Sequence, residues 1–169
     1  MEEIFRKYPI GIQSFEKLRN NNYVYVDKTS LIYKLANTNS TYFLSRPRRF
    51  GKSLLVSTLE AYFLGKKELF HGLAMETLEK EWTVYPVLHL DFSVSKYMTA
   101  DMLSAAINRQ LLQWEKLYGR EEGETTFSLR FEGIIHRAYQ QTGKQAVVLI
   151  DEYDSPMLDS NNDDEIQKE

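Results

Sequence analysis

Apolar residues recur at helical spacing in several segments of the chain, and each spacing predicts a helix with one face on a core. Leu31, Ile32 and Leu35 are expected to face inward from one of these helices, and Trp114 and Leu117 from the longest. The predicted helices are a short one within residues 9–22, one opening at residues 27–29, and those over residues 52–64, 76–82, 99–118 and 127–142.

Short apolar runs separate these helices and predict β-strands. They are Thr41–Leu44, Pro86–Ser93 and Ala146–Ile150, while the alternating Tyr23–Val26 segment fits a strand or an extended arm. The run Ala146–Ile150 is apolar at every position, which predicts a strand buried on both faces of a parallel sheet. The alternation of strands and helices indicates an α/β fold with right-handed crossovers.

Composition narrows the possible classes of protein. The chain has 169 residues, 43% of them hydrophobic, and a net charge of −3, so it has one domain's length and no overall positive field. It contains no cysteine, which excludes disulfides, zinc–thiolate sites and cysteine nucleophiles. The N-terminus lacks the apolar run of a signal peptide and no run reaches membrane-spanning length, so we expect a cytoplasmic protein without membrane contact.

A basic loop follows the predicted Thr41–Leu44 strand and ends in Gly51-Lys52-Ser53, where a helix opens. The first turn of a helix offers unpaired N–H groups and a positive dipole end, which together attract phosphate. Lys52 would contact the outer phosphates and Ser53 would be a magnesium ligand. The candidate nucleotide-binding residues are Arg46, Pro47, Arg48, Arg49, Phe50, Gly51, Lys52, Ser53 and Leu54.

One position departs from the P-loop pattern G-x-x-x-x-G-K-[ST], because Arg46 occupies the place of the first glycine. Pro47 fixes its own φ angle and could set the turn without that glycine. Arg46 would then point to solvent or to a partner, which we favour; the alternative is that it folds onto the phosphates.

Two acids follow the last apolar strand. Ligands of open α/β sheets bind at the carboxyl ends of the strands, where Asp151 and Glu152 would lie. Asp151 is predicted to hold magnesium. Glu152 is predicted to orient and deprotonate the attacking water, and Glu152 and Lys52 are the two candidate catalytic residues. Asp91 ends the preceding strand, and it either reaches the nucleotide site or caps the following loop.

Five segments together resemble the bacterial AAA-ATPase-like family, in which a P-loop domain precedes a nuclease-like domain of the PD-(D/E)XK type. They are residues 8–15, 25–29, 43–53, 89–93 and 150–154. The resemblance implies that Arg46 is normal for the family's Walker A loop and that Asp151-Glu152 are the Walker B acids. It also implies ATP with Mg²⁺ as ligand, ATP hydrolysis by the intact protein, and a downstream nuclease-like domain as partner; the preference for adenine depends on it alone.

The predicted domain organisation has an N-terminal segment over residues 1–40, a P-loop core over residues 41–158 and a polar acidic tail over residues 159–169. The core is expected to be a three-layer P-loop NTPase-like fold truncated after the Walker B strand, because too few residues follow for another βαβ unit. Weak hydrolysis is expected because residues that position the attacking water would be missing with the later strands, and the open sheet edge predicts homo-oligomerisation.

Two other functions fit the same residues. The chain could be a nucleotide sensor that binds ATP without turnover. Alternatively, the arginine loop could bind nucleic-acid phosphates while Asp91, Asp151 and Glu152 hold a metal for strand cleavage. Against cleavage, the acids lack a lysine spaced as in the usual nuclease motif.

Overall fold

The computed structural model describes residues 6–38, 41–45, 47, 49–94 and 99–154, and it has an α/β fold of helices and a small parallel sheet. The chain divides into two compact units, Met1–Val84 and Tyr85–Glu169. Each unit has its own core, and they are described separately below. No helix in the described part of the chain is both long enough and apolar enough to cross a membrane.

The first unit is helical. Its helices are α1 (Phe15–Asn20), α2 (Thr29–Thr38), α3 (Lys52–Phe63) and α4 (Ala74–Leu78), with a 3₁₀ helix at Lys67–Phe70. Ser14 caps α1 by accepting a hydrogen bond from the Lys17 amide, as a serine at this position does in many helices. Gly65 follows α3 with a φ of 68°, the left-handed conformation that commonly ends a helix.

Aromatic side chains fill the core of the first unit. The Phe15 and Phe70 rings are fully buried, with centroids 4.9 Å apart, and the Phe70 ring lies 5.2 Å from that of Trp82. Tyr62 on α3 contacts both Phe70 and Trp82. Burying such large rings supplies most of the apolar area that holds short helices together, since helices of this length are marginal alone.

Asp27 and Thr29 join α2 to α4. One Asp27 carboxylate oxygen accepts hydrogen bonds from the Thr29 amide (2.8 Å) and hydroxyl (2.7 Å), and the other accepts from the Ala74 amide (2.7 Å). The buried Thr29 hydroxyl in turn accepts from the Met75 amide at 3.0 Å. Two residues that the sequence places at one helix start therefore cap two helices.

Replacing Asp27 with alanine should destabilise the first unit by about 2 kcal/mol, because amides at two helix starts lose their acceptor. Burial raises the pKa of Asp27, but hydrogen bonds from Ala74 and Thr29 outweigh it and hold the pKa below its usual value. The ionised carboxylate is thus favoured in the folded state. Its stabilisation is present above the unfolded pKa of about 4 and is lost as the pH falls through the folded pKa.

Urea unfolding of a Trp114→Phe background, followed by Trp82 fluorescence, measures this effect in the first unit alone. The difference between wild type and Asp27→Ala should shrink below about pH 4. Glu81→Ala removes an exposed acid from the same unit and is the matched control. A pH-independent difference would contradict the proposed role of the charge.

The second unit combines two strands with two long helices. The elements are β1 (Val87–Asp91), a 3₁₀ turn at Phe92–Val94, α5 (Ala100–Tyr118), α6 (Phe127–Thr142) and β2 (Val147–Asp151). The strands pair in parallel with Leu88 opposite Val148 and Asp91 opposite Asp151. Leu88, Leu111, Trp114 and Ile134 form the core between the sheet and both helices. The predicted parallel pairing is confirmed.

Two buried arginines on α6 bind acids of α5 and of the loop that follows it. The Arg130 Nε and Nη2 atoms donate to the two Glu115 carboxylate oxygens at 2.7 and 3.0 Å, and Nη1 donates to Asn108 at 2.6 Å. Arg137 pairs with Glu124 in the same two-pronged way and also donates to the Gly119 carbonyl at 2.9 Å. Hydrogen bonds from the arginines hold the pKa values of Glu115 and Glu124 below their usual range.

Gly133 makes room for the second of these pairs. A Cβ atom at this position would lie 1.7 Å from a Glu124 carboxylate oxygen and 2.8 Å from the Arg137 Nη1 atom. A glycine inside a helix costs about 1 kcal/mol relative to alanine. Glycine is needed here despite this cost, because the Glu124 carboxylate lies too close to the helix backbone for any side chain.

The strand predicted at Thr41–Leu44 is wrong. Residues 41–45 form no strand, and the side chains of Tyr42, Phe43 and Leu44 are exposed. The Tyr42 hydroxyl donates to the Leu35 carbonyl at 2.8 Å, so this segment is attached to the end of α2. A short apolar run does not determine which strand it would pair with. Without a partner strand, its backbone N–H and C=O groups gain no hydrogen bonds from an extended conformation.

Other boundaries and burial predictions also need correction. The helix predicted over Glu76–Trp82 is α4, which begins earlier because Asp27 and Thr29 bind the Ala74 and Met75 amides. Leu31 and Leu117, predicted to face inward, are exposed. Val148 and Ile150 are also exposed, so the last strand is not buried on both faces.

Candidate functional site

The end of the arginine loop (residues 46–51) contains two left-handed backbone positions just before α3. Arg49 has a φ of 68° and Gly51 a φ of 76°, while Phe50 between them is not in the positive-φ region. Positive-φ positions of this kind occur in the concave backbone turns that bind anions. Glycine adopts this conformation without strain, whereas for arginine it is costly and uncommon.

The arginine loop leads into the first-turn amides of α3. The first helical hydrogen bond runs from the Leu55 amide to the Gly51 carbonyl at 3.0 Å, so the amides of Lys52, Ser53 and Leu54 have no acceptor within the helix. Gly51 caps the helix without a side-chain hydrogen bond. A Cβ at Gly51 would meet nothing within 4 Å, so its backbone is open to an approaching ligand.

The side chains of Lys52 and Ser53 are available for binding. Both are half-buried, and neither has a hydrogen-bond or ion-pair partner among the described residues. Pro47, Arg49 and Phe50 are exposed. Of the other predicted nucleotide-binding residues, Leu54 packs partly against the core of the first unit, and Arg46 and Arg48 lie outside the described residues.

The predicted acids lie at the carboxyl edge of the sheet in the second unit. Asp151 is buried at 7% exposure, and one of its carboxylate oxygens accepts a hydrogen bond from the Glu152 amide at 3.0 Å. Glu152 follows with a φ of 52°, a left-handed conformation that is rare for glutamate. Such strain often marks functional positions, and here it sets the direction in which Glu152 leaves the strand.

Asp91 is the in-register neighbour of Asp151, and it caps the loop that follows its own strand. Its carboxylate oxygen Oδ1 accepts a hydrogen bond from the Ser93 amide at 2.8 Å, and the side chain is exposed. Of the two roles considered for Asp91, the structure supports capping. Its register beside Asp151 still places a second carboxylate at the same sheet edge.

The donor groups fit a magnesium ion carried by a nucleotide better than a metal site made by protein alone. The described residues include no group of three or more His, Cys, Asp or Glu side chains arranged to hold a metal. Magnesium in phosphate-transfer sites keeps several waters and takes only one or two protein ligands beside the phosphates. The Ser53 hydroxyl in the first unit and, separately, the second Asp151 oxygen in the second unit are donors of that type.

Two features of these sites carried no signal in the sequence. Arginine and glutamate are not residues that indicate positive φ, so the left-handed conformations of Arg49 and Glu152 could not be predicted. The phosphate-binding candidates belong to the first unit and the acids to the second. Each group is therefore defined within its own unit.

Comparison with known proteins identifies the class. The family described as predicted AAA-ATPase, AAA-ATPase-like, matches residues 9–169, and the chain belongs to this family. An uncharacterized protein encoded in the vnfD 5′ region of Azotobacter chroococcum mcd 1 is 40% identical over 166 residues. That alignment covers 97% of this chain and 32% of the relative, so the chain spans about a third of the relative's length. No solved structure matches the chain.

Proposed function

We propose that the chain is the ATP-binding part of an AAA-ATPase-like protein and that it binds ATP together with Mg²⁺. The observation that carries this proposal is the arginine loop. A left-handed Arg49 and Gly51 lead into three amides that have no acceptor within α3, and the Lys52 and Ser53 side chains have no partner among the described residues. Membership of a family described as predicted AAA-ATPase supports a general ATPase-like role.

The loop would bind phosphate mainly through its backbone. The amides of Gly51 to Leu54 donate toward the anion, and the positive end of the α3 dipole adds to the attraction. The Lys52 ammonium would neutralise the outer phosphates. Because the first turn of α3 holds these amides in place, little ordering is needed when phosphate binds.

The acids would complete the reaction in the intact protein. Ser53 in the first unit and Asp151 in the second are each proposed as a magnesium ligand of the intact protein, and bound magnesium would supply positive charge that neutralises the phosphate oxygens. Glu152 would accept a proton from the attacking water, directed by the left-handed turn after β2. Hydrolysis, a downstream nuclease-like domain and self-association are proposals for the whole protein.

Replacing Lys52 with alanine should weaken ATP binding by about 1.5–3 kcal/mol, the range for a hydrogen bond to a charged group. Stability should change little, because the Lys52 side chain has no partner among the described residues whose loss could cost energy. Isothermal calorimetry with and without magnesium measures the binding, and urea unfolding measures the stability.

Lys34→Ala removes an exposed lysine from the same unit and serves as the control for net charge. If Lys52→Ala and Lys34→Ala bind ATP as wild type does, the arginine loop is not a nucleotide site. A sensor without turnover differs in one respect, since it would bind ATP equally well but release no phosphate in the full-length protein.

A further inference from the structure

Positive charge is concentrated in one part of a chain that is acidic overall. Between Asp27 and Glu60 the sequence contains six lysines and arginines and no acid, whereas the whole chain carries a net charge of −3. The arginine loop lies within this stretch. A local excess of cations of this kind favours a polyanionic partner.

The same stretch exposes aromatic rings that the cores do not use. Tyr42, Phe43 and Phe50 are 47, 73 and 65% exposed, and Arg49 beside Phe50 has no partner among the described residues. We call these four residues the aromatic–basic surface. Exposing three rings among nine consecutive residues is unfavourable unless a partner covers them.

Tyr42 is held in position. Its hydroxyl donates to the Leu35 carbonyl at the end of α2, which fixes the ring while leaving about half of it accessible. An oriented ring that is about half exposed is a platform on which a base can stack.

We propose that the aromatic–basic surface binds single-stranded nucleic acid. Stacking on aromatic rings requires unpaired bases, and Arg49 beside Phe50 would neutralise a phosphate next to them. A single strand carries a base and a phosphate in every nucleotide, so it matches both the rings and the cation. Arg49 and Phe50 also belong to the candidate nucleotide-binding residues, whereas Tyr42 and Phe43 do not, and at those two positions the inference goes beyond ATP binding.

Fluorescence anisotropy with a labelled oligothymidine of about 20 nucleotides tests the proposal on the whole chain. Phe43→Ala and Phe43→Leu should each weaken binding about tenfold, because leucine keeps the apolar bulk but cannot stack, while Phe43→Trp retains binding. Arg49→Ala should lower the slope of log affinity against log salt by about 0.7. Tyr139→Ala and Arg109→Ala, exposed positions of the second unit, should bind as wild type.

ATP calorimetry on Phe43→Ala separates this inference from the proposed function, since ATP affinity should not change. The proposal is wrong if Phe43→Leu binds the oligonucleotide as wild type does, or if a duplex of equal length binds as tightly. Vesicles containing phosphatidylserine are the competing probe. The proposal is also wrong if the vesicles bind the wild-type chain but not Phe43→Leu, and the oligonucleotide binds neither. The surface would then be a membrane-binding surface.

Discussion

Glu152→Gln should lower ATP turnover by the full-length protein about 10²–10⁴-fold while ATP binding persists. A glutamine amide has the shape of the glutamate side chain but cannot accept a proton from water, and general base catalysis contributes a factor of this size. The left-handed backbone at Glu152 should tolerate the change, because neither shape nor branching at Cβ is altered. Phosphate release and calorimetry on the same preparation measure the two effects.

Glu132→Gln removes an exposed carboxylate from α6 and is the matched control. Asp151→Asn should act differently, reducing the magnesium dependence of binding, because one Asp151 oxygen already accepts from the Glu152 amide and the other is left for the metal. Turnover of Glu152→Gln at the wild-type rate would reduce Glu152 to a strand-end carboxylate.

Arg130→Met should destabilise the second unit by about 3–5 kcal/mol, the cost of leaving a buried charge without its partner. Arg130 is 4% exposed and satisfies both Glu115 oxygens as well as Asn108. Arg120 Nε lies 3.7 Å from Glu115 and is too exposed to replace the lost contacts. Urea unfolding in a Trp82→Phe background reports this unit through the buried Trp114.

The double variant Arg130→Met/Glu115→Met should recover most of the loss, since apolar side chains of similar size can replace a buried ion pair at little cost. Arg109→Ala, an exposed arginine on α5, should be neutral. If the double variant is as unstable as the sum of the two single changes, the pair is not the source of the effect.

Long periodic segments and their end signals were predictable from sequence. The helix predicted over residues 127–142 is α6 with the same bounds, and α5 begins one residue after the predicted Thr99 and ends before Gly119 as predicted. The strand ending at Asp151 and its parallel pairing also follow from the pattern. For the helices, the residues that decide the structure are neighbours in the chain, whereas the parallel pairing of Val87–Asp91 with Val147–Asp151 follows from the alternation of strands and helices.

Contacts between distant residues account for the failures. The start of α4 depends on Asp27 and Thr29, more than forty positions earlier in the chain. Arg130 and Arg137 stand on the buried face of α6, where the helical pattern would place apolar residues. In the sequence, two arginines at such positions indicate that each has a buried acidic partner. For the candidate site, residue types and order were predictable, but the backbone conformations of Arg49 and Glu152 were not.

The hydrogen bond from the Ala74 amide to Asp27, here called the Asp27 clasp, closes the chain from Asp27 to Ala74 into a ring. Asp27 and Ala74 are 47 positions apart, and the ring they close contains both the arginine loop and α3. The entropy of closing such a ring rises only with the logarithm of its length, by about 0.6 kcal/mol for each doubling. Residues can therefore be inserted or removed on the approach to the arginine loop at little thermodynamic cost. Changes in the arginine loop can therefore alter what it binds, while the Asp27 clasp keeps the first unit folded.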